Sequence, residues 1–191
     1  MKPINTPALY GLVLEGGLSS RMGKSKAHLT YHNLPQRDHV FELLKKVCVS
    51  VYYSANSQAP VDDQTIVDAY PFQGPLNGIL SAFNHKPGVA WLTVPVDMPL
   101  VNEAIIRFLI DHRDADKVAT CFYDSDGKFP EPLLTIWEPN NTSLDAFYAK
   151  GRISPREFLM TANTKLLQIP DQNALRNVNT PEDFDDFLST R

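Results

Sequence analysis

Apolar residues in this chain fall into short runs and helix-spaced stripes that alternate along most of its length. The runs are rich in β-branched and aromatic residues and are bounded by Gly, Pro, Asn or Asp, which is typical of buried strands. They predict strands at residues 10–14, 49–54, 90–94, 117–122 and 133–137. Because helical patterns lie between these runs, we predict an α/β fold with a mostly parallel sheet.

Two apolar stripes between the runs have the spacing of one helix face. Positions 40, 43, 44 and 47 are Val, Leu, Leu and Val, and a second stripe at 105, 108 and 109 follows the N-cap residue type Asn102. Two further helices are expected at Ser154-Pro155 and Thr180-Pro181, where a hydroxyl N-cap precedes a proline. The turn-forming residues 124–127, Asp-Ser-Asp-Gly, separate two strand candidates, so we expect those strands to pair antiparallel.

Length and charge limit the classes of function. The 191 residues suit one domain spanning 1–191, and the formal net charge of −4 argues against general affinity for nucleic acid. No apolar run approaches the ~18 residues of a membrane span, and the first residues lack the apolar core of a secretory signal. We therefore expect a cytoplasmic protein that binds neither nucleic acid nor membranes. Cys48 and Cys121 lie in apolar surroundings, which favours two buried thiols over a disulfide or a metal pair.

A glycine-bearing basic loop follows the first strand candidate. Gly16 and Gly17 end the strand, and the cations Arg21, Lys24 and Lys26 follow. Glycines allow the backbone to approach a ligand closely, and successive N–H groups in such a loop form an anion-binding concavity. The three cations add positive charge around a polyphosphate. The loop therefore predicts a nucleoside triphosphate site at the carboxyl end of the strand, and an ordinary basic surface loop is the alternative.

Two aspartates follow strand candidates and are expected at the same edge of the sheet. Asp97 follows the apolar run that ends at Val96, and Asp68 follows Ile66-Val67. In proteins Mg²⁺ usually combines one or two carboxylates with phosphate oxygens and water. Asp97 is therefore the first choice for a Mg²⁺ ligand. The alternatives are a helix-capping or turn aspartate at 97 and a surface loop acid at 68.

Two loop-to-helix junctions carry further candidate residues. Gly74-Pro75 precedes a helix that starts with small residues, and we expect Gly78 to permit close approach of that helix to a ligand. Asn177 and Asn179 carry amide groups that can bind a metal or a substrate. The alternative for each junction is a structural turn or helix cap.

Together these segments resemble the molybdenum cofactor guanylyltransferase family over nearly the whole chain. The pattern Gly-Gly-x-Ser-x-Arg-Met-Gly-x-x-Lys at 16–26 is shared with many nucleotidyltransferases. Gly-Pro-Leu at 74–76 and Asn-Val-Asn-Thr-Pro-Glu at 177–182 are more specific to this branch, and Val-Pro-Val-Asp-Met-Pro at 94–99 and Phe-Pro-Glu-Pro-Leu at 129–133 complete the order. The resemblance implies a Rossmann-like, three-layer nucleotidyltransferase fold whose mostly parallel sheet contains an antiparallel strand.

The resemblance also implies an activity, which is the Mg²⁺-dependent transfer of GMP from GTP to molybdenum-bound molybdopterin with release of pyrophosphate. Arg21, Lys26 and Asp97 are then catalytic, and Asp97 is the metal ligand. The residues that the resemblance implies for the nucleotide are Leu14, Glu15, Gly16, Gly17, Lys26, Ser54 and Asp68, and those for the pterin are Gly74, Pro75, residues 128–131, Asn177 and Asn179. Molybdoenzymes or other cofactor-biosynthesis proteins are the implied protein partners.

Three residues depart from the family's pattern. Glu15 stands where the family usually has alanine, Ser25 where it has aspartate, and Ser54 where it has an asparagine near the nucleoside. The departures leave the choice between GTP and CTP open. A molybdopterin cytidylyltransferase, a sugar-phosphate nucleotidyltransferase and an inactive nucleotide-binding relative are therefore alternative functions.

Two placements are open for the Glu15 side chain. In one, the side chain points away from the ligand and pairs with a nearby cation. In the other, its carboxylate accepts hydrogen bonds from the N1–H and the exocyclic amino group of guanine, a donor pair that cytosine lacks.

Overall fold

The structure is a computed structural model that describes residues 6–15, 34–56, 62–139, 142–178 and 183. Its strands are β1 (Leu9–Leu14), β2 (Val51–Ala55), β3 (Thr65–Val67), β4 (Ala90–Pro95), β5 (Ala119–Tyr123), β6 (Pro130–Trp137) and β7 (Thr164–Leu167). Its helices are α1 (Gln36–Lys45), α2 (Pro75–His85), α3 (Glu103–Asp111), α4 (Thr142–Ala149) and α5 (Pro155–Thr161), with a 3₁₀ turn at Gln172–Leu175.

The described strands form one seven-stranded sheet in the order β3-β2-β1-β4-β6-β5-β7. The first four strands in this order pair in parallel, as do β5 and β7. β6 runs antiparallel to both of its neighbours, β4 and β5. The predicted α/β fold with a mostly parallel sheet and an antiparallel strand is confirmed, and the turn at 124–127 connects β5 to β6 as expected.

Helices cover both faces of the sheet, so the predicted three layers are confirmed. α1, α3 and the 3₁₀ turn pack on one face, and α2, α4 and α5 pack on the other. The residues of β1 alternate between the faces, with Val13 in the first core and Leu12 in the second. Gly11 faces α1, and a Cβ at this position would lie 3.1 Å from Leu44 Cβ. The absence of a side chain at residue 11 therefore lets α1 pack closely on the central strands.

The predicted helix starts are confirmed where the structure describes them. Asn102 Oδ1 accepts a hydrogen bond from the Ile105 N–H at 3.1 Å, which caps α3. Ser154 Oγ accepts one from the Glu157 N–H at 3.2 Å, which caps α5. Apart from Asp183, the helix predicted after Thr180-Pro181 lies outside the described residues.

Some element bounds differ from the sequence predictions. β2 and β5 each begin two residues later than predicted, and β6 begins three residues earlier, at Pro130. α4 and β7 have no counterpart among the predictions. β7 has only four residues, all of them half-buried at the edge of the sheet, so it lacks the apolar alternation that marks a strand in sequence.

The two cysteines are free thiols, as predicted. Cys121 is buried and Cys48 is half-buried, and burial raises the pKa of each thiol to about 12. Within the described residues, no helix has both the length and the apolar character that a membrane crossing requires.

Candidate active site

A cleft of about 370 Å³ opens at the carboxyl edge of the parallel strands. Its walls come from the start of α2, the loop after β4, the start of β6, the start of α5 and the segment after the 3₁₀ turn. Because β6 is antiparallel, its first residues lie at the edge where β1 and β4 end. The polar residues that line the cleft are Asp97, Glu131, Ser154, Arg156 and Asn177.

Asp97 lies where the sequence predicts, in the turn after the central strand β4. The Val96 N–H donates to the Leu14 carbonyl at 3.1 Å, which aligns the ends of β4 and β1. The Val178 N–H donates to the Asp97 carbonyl at 2.8 Å, which fixes the segment after the 3₁₀ turn beside β4. The structure therefore brings Asp97 and Asn177 into one cleft, although 80 positions separate them along the chain.

The donor groups around Asp97 fit a magnesium ion that protein and substrate hold together. In the described ranges, no group of three or more His, Cys, Asp and Glu side chains could hold a metal ion by itself. Asp97 offers a carboxylate at the cleft. Mg²⁺ in proteins usually takes one or two carboxylates beside phosphate oxygens and water, so Asp97 suits an ion that arrives with a nucleotide.

Glu131 is a buried carboxylate that the sequence places only within the stretch 128–131. It is 6% exposed, and its Oε1 accepts a hydrogen bond from the Leu133 N–H at 2.9 Å. Burial raises the pKa of the Glu131 carboxyl, and the charges of Asp97 and Asp124 add to that rise. The Leu133 N–H and the Arg156 guanidinium act in the opposite direction. The sequence does not single out Glu131, because its position in the cleft depends on the irregular start of β6, which apolar periodicity does not show.

Arg156 brings a positive charge to the cleft, and sequence reasoning assigned it no role. It lies in the first turn of α5, and its Nη1 is 3.5 Å from Asp124 Oδ2. Asp124 in turn accepts hydrogen bonds from the N–H groups of Lys128 and Phe129, at 3.1 and 3.3 Å. The turn before β6 and the start of α5 are thereby joined at the mouth of the cleft.

The Gly74-Pro75 turn starts α2, as predicted. Gly74 has a φ of 123°, a conformation that residues with a Cβ rarely adopt, and Pro75 occupies the first helical turn. Pro75 lines the cleft, so the amino end of α2 and its partial positive charge face the same space as Asp97.

Gly78 packs against protein side chains, and the close approach to a ligand that the sequence suggests at this position stays a prediction. A Cβ on Gly78 would overlap Ser54 Oγ and would lie 3.2 Å from Ser54 Cβ. Leu14 Cδ2 would lie 3.6 Å from the same Cβ. α2 therefore packs on β1 and β2 through this glycine, and the Ser54 hydroxyl lies against α2.

Asp68 directly follows β3, as predicted, and is half-buried. Burial raises the pKa of its carboxyl to about 6. Two side chains of α2 hold the loop behind it, since Asn77 Nδ2 donates to the Tyr70 carbonyl at 2.8 Å and Ser81 Oγ accepts from the Ala69 N–H at 2.9 Å. The position of Asp68 at the sheet edge is thus set by both β3 and α2.

Glu15 has the cation-paired placement. Its Oε1 is 3.0 Å from Arg37 Nη1, and the Arg37 guanidinium lies 4.0 Å from the centre of the Tyr53 ring. The Tyr53 hydroxyl donates to Asp38 Oδ1 at 3.1 Å. Sequence reasoning did not single out Arg37, because its approach to Glu15 depends on how α1 packs beside β1.

The remaining sequence-predicted site residues lie outside the described residues. They are Gly16, Gly17, Arg21, Lys26 and Asn179, and their roles stay predictions. Leu14, the last residue of β1, marks where the glycine loop leaves the sheet.

Comparison with known proteins gives the class and then the family. A solved structure of molybdopterin-guanine dinucleotide biosynthesis protein A from Archaeoglobus fulgidus superposes with a TM-score of 0.76 and 19% identity, over 95% of this chain and 97% of that chain. That likeness shows that the fold is shared. Residues 11–161 match the family described as the MobA-like NTP transferase domain. The chain belongs to this nucleotidyltransferase family.

Two curated relatives extend the match along the chain. A molybdenum cofactor biosynthesis bifunctional protein from Synechocystis sp. is 35% identical over 95% of this chain and 54% of its own length. The chain thus spans about half of that relative. A probable molybdenum cofactor guanylyltransferase from Carboxydothermus hydrogenoformans is 30% identical over 92% of this chain and 93% of its own length.

Proposed function

We propose that this chain transfers GMP from GTP to molybdenum-bound molybdopterin in a Mg²⁺-dependent reaction that releases pyrophosphate. The observation that carries the proposal is the convergence of Asp97, Pro75 and Asn177 on one cleft, at the sheet edge where the glycine loop begins. The name of the Carboxydothermus relative, a probable molybdenum cofactor guanylyltransferase, supports the choice of nucleotide, and the names of both curated relatives support a molybdenum cofactor as acceptor.

The proposed reaction is an in-line displacement at phosphorus. An oxygen of the acceptor phosphate attacks the α-phosphorus of GTP, and the bond from the α-phosphorus to the bridging oxygen breaks, so pyrophosphate leaves with the electron pair. Arg21 and Lys26 neutralise the departing pyrophosphate. The backbone from Leu14 to Gly17 holds the nucleotide, with Asp68 and Ser54 toward the nucleoside.

Asp97 is the residue that would hold Mg²⁺. The ion supplies positive charge at the reacting phosphate oxygens. Asp97 is suited to this task because it follows a fully buried strand, so its backbone is held rigidly at the cleft.

The acceptor binds in the part of the cleft formed by α2, β6, α5 and Asn177. The amino end of α2 and the Arg156 guanidinium both favour an anionic group there. The Asn177 amide supplies a donor and an acceptor at the same wall. The step requires no covalent nucleophile from the protein, only positioning and charge neutralisation.

The alternative nucleotide donor is CTP in place of GTP. Glu15 is paired with Arg37, and this pairing supports base selection by the backbone rather than by a carboxylate that reads guanine. Cytoplasmic location and transfer of the product to molybdoenzymes or other cofactor-biosynthesis proteins belong to the same proposal.

The test measures pyrophosphate release and product formation in the presence of Mg²⁺, with GTP or CTP as donor and with molybdopterin or a sugar phosphate as acceptor. We expect release with GTP that depends on both the acceptor and the metal. Preference for CTP would show a cytidylyltransferase, turnover only with a sugar phosphate would show a sugar-phosphate nucleotidyltransferase, and tight binding of GTP without turnover would show an inactive relative.

A further inference from the structure

The beginning of β6 departs from regular strand pairing. Pro130 pairs with Tyr123 and Thr135 pairs with Cys121, so five steps along β6 match only two steps along β5. Pro130 and Pro132 have no N–H group to give to a ladder. The extra residues form a bulge, and bulges beside active sites often redirect a side chain.

The bulge turns its middle residues toward the cleft and satisfies its own backbone. Glu131, Pro132 and Leu133 all line the cleft. The Thr135 hydroxyl donates to the Glu131 carbonyl at 2.8 Å, and the Leu133 N–H donates to Glu131 Oε1 at 2.9 Å. Within the described part of the chain, the second carboxylate oxygen, Oε2, receives no hydrogen bond. Glu131 thus presents a buried carboxylate to the cleft: Oε1 accepts one backbone N–H, and lone pairs remain on both oxygens for a pair of ligand donors.

We propose that Glu131 determines acceptor specificity by accepting hydrogen bonds from an adjacent ring N–H and exocyclic amino group of the acceptor's heterocycle. The 2-amino-4-oxo pyrimidine ring of a pterin carries such a donor pair. The inference rests on the proposed function, because it takes this cleft to be the acceptor site.

Burial and charge favour a donor-rich ligand edge at this place. A buried carboxylate with an unused oxygen gains a strong interaction from an N–H donor, because a charged acceptor forms the stronger kind of hydrogen bond. The charges around Glu131 are mixed, because Asp97 and Asp124 repel an anion whereas the Arg156 guanidinium attracts one. In the proposed arrangement the amino edge of the acceptor lies against the Glu131 carboxylate, and its phosphate lies toward Arg156 and the amino end of α2.

The size and apolar walls of the cleft suit a small heterocycle. Its volume of about 370 Å³ falls within the range of small-molecule sites. Pro75, Pro132 and Leu133 provide apolar surface for the faces of a ring. A flat, polar-edged molecule can thus be held between apolar walls while its edge meets Glu131.

The substitution Glu131→Gln distinguishes a role of Glu131 in ligand recognition from a purely structural role in the bulge. Glu131→Gln keeps an oxygen that can accept from the Leu133 N–H, but it replaces the other oxygen with a donor that opposes the ligand's own donors. Glu157→Gln is the matched control. Glu157 is an exposed carboxylate in the first turn of α5, and it pairs with Arg152 at 2.6 Å.

The experiment measures the binding of two fluorescent probes, 6-hydroxymethylpterin and 6-hydroxymethyllumazine, by titration with the protein. The pterin carries an amino group at position 2, and the lumazine carries an oxo group there. Saturating GTP and Mg²⁺ fill the nucleotide site, so neither probe can bind as a guanine analogue. We expect the wild type to prefer the pterin by about 10- to 100-fold, and Glu131→Gln to reduce that preference to about threefold or less. Glu157→Gln should keep the wild-type preference.

An equal pterin preference in the wild type and in folded Glu131→Gln would overturn the inference, as would no preference in the wild type. If Glu131→Gln does not fold, Glu131→Asp takes its place, because the shorter side chain withdraws the carboxylate from the ligand and should also reduce the pterin preference; an unchanged preference in folded Glu131→Asp would overturn the inference. The guanylyl-transfer assay tests the proposed function separately. If the wild type prefers the pterin but transfers no GMP, the proposed function is refuted, and recognition of the pterin ring by Glu131 is retained.

Discussion

The two halves of the sheet reach the cleft in different ways. In the parallel half, β3-β2-β1-β4, the strands end at the same edge, so Asp68 and Asp97, which follow β3 and β4, lie at that edge, and contacts with α2 and with the segment after the 3₁₀ turn hold them there. In the mixed half, β6-β5-β7, the cleft residues come from a bulge and a helix start, which carry Glu131 and Arg156. The residues of the proposed nucleotide side are thus indicated by local signals, whereas those of the proposed acceptor side enter the cleft through contacts between distant segments.

The largest expected effect tests the strand-end carboxylate of the parallel half. Asp97→Asn removes the charge that would hold Mg²⁺ while keeping the shape of the side chain, so turnover should fall by about 10²- to 10³-fold. Steady-state pyrophosphate release measures the fall, and thermal unfolding shows whether the fold persists. Near-normal turnover in a folded variant would remove Asp97 from the metal site.

The glycine loop should act on phosphate and not on the base. Lys26→Ala should weaken GTP binding by about 1.5–3 kcal/mol, the range for hydrogen bonds that involve a charged group. Titration calorimetry with GTP and with guanosine separates the contributions, because guanosine lacks phosphates and should be hardly affected. An equal loss for both ligands would place Lys26 elsewhere.

The packing of α2 on the parallel half can be tested at Gly78. A Cβ at this position would overlap Ser54 Oγ, so Gly78→Ala should destabilise the fold by about 1–3 kcal/mol in chemical denaturation. Adding Ser54→Gly removes the overlapping atoms and should restore part of that stability. If the double variant is no more stable than Gly78→Ala, the contact does not limit the packing.

A substitution on the proposed acceptor side should weaken binding of the acceptor and leave binding of the nucleotide unchanged. Arg156→Ala should raise the KM for molybdopterin by about 3- to 10-fold, because a half-exposed cation in a wet cleft contributes about 1 kcal/mol, and the Kd for GTP should stay unchanged. Arg152→Ala is the control, because Arg152 is a nearby arginine that pairs with Glu157 and is not among the residues that line the cleft. A parallel change in both constants would show that the two halves are not independent.

The smallest expected effect is a pH dependence at Asp68. Because the pKa of its carboxyl is raised from 3.8 to about 6 by burial, the folded state holds this proton more tightly than the unfolded chain does. The contribution of Asp68 to stability is therefore present below pH 3.8 and is lost as the pH rises to about 6. The unfolding free energy of the wild type relative to Asp68→Asn should fall across this window and stay flat above it. A constant difference would show that the carboxyl is not buried enough to shift.

Much of the fold was predictable because its signals are local. The apolar runs of β1 and β4 mark buried central strands, and Asn102 and Ser154 cap their helices through hydrogen bonds to residues only three positions away. β7 was not predicted because a half-buried edge strand of four residues has no apolar alternation.

Sequence alone also determined which residues follow the parallel strands, and hence that Asp68, Asp97 and the start of the glycine loop share one edge. Parallel strands bring their carboxyl ends together whatever the rest of the chain does. Only the tertiary structure decided that Glu15 pairs with Arg37, that Gly78 makes room for Ser54, and that Glu131 and Arg156 enter the cleft. These contacts depend on how helices pack and where a strand bulges, and those outcomes are set by the shapes of surfaces that meet only when the chain is folded.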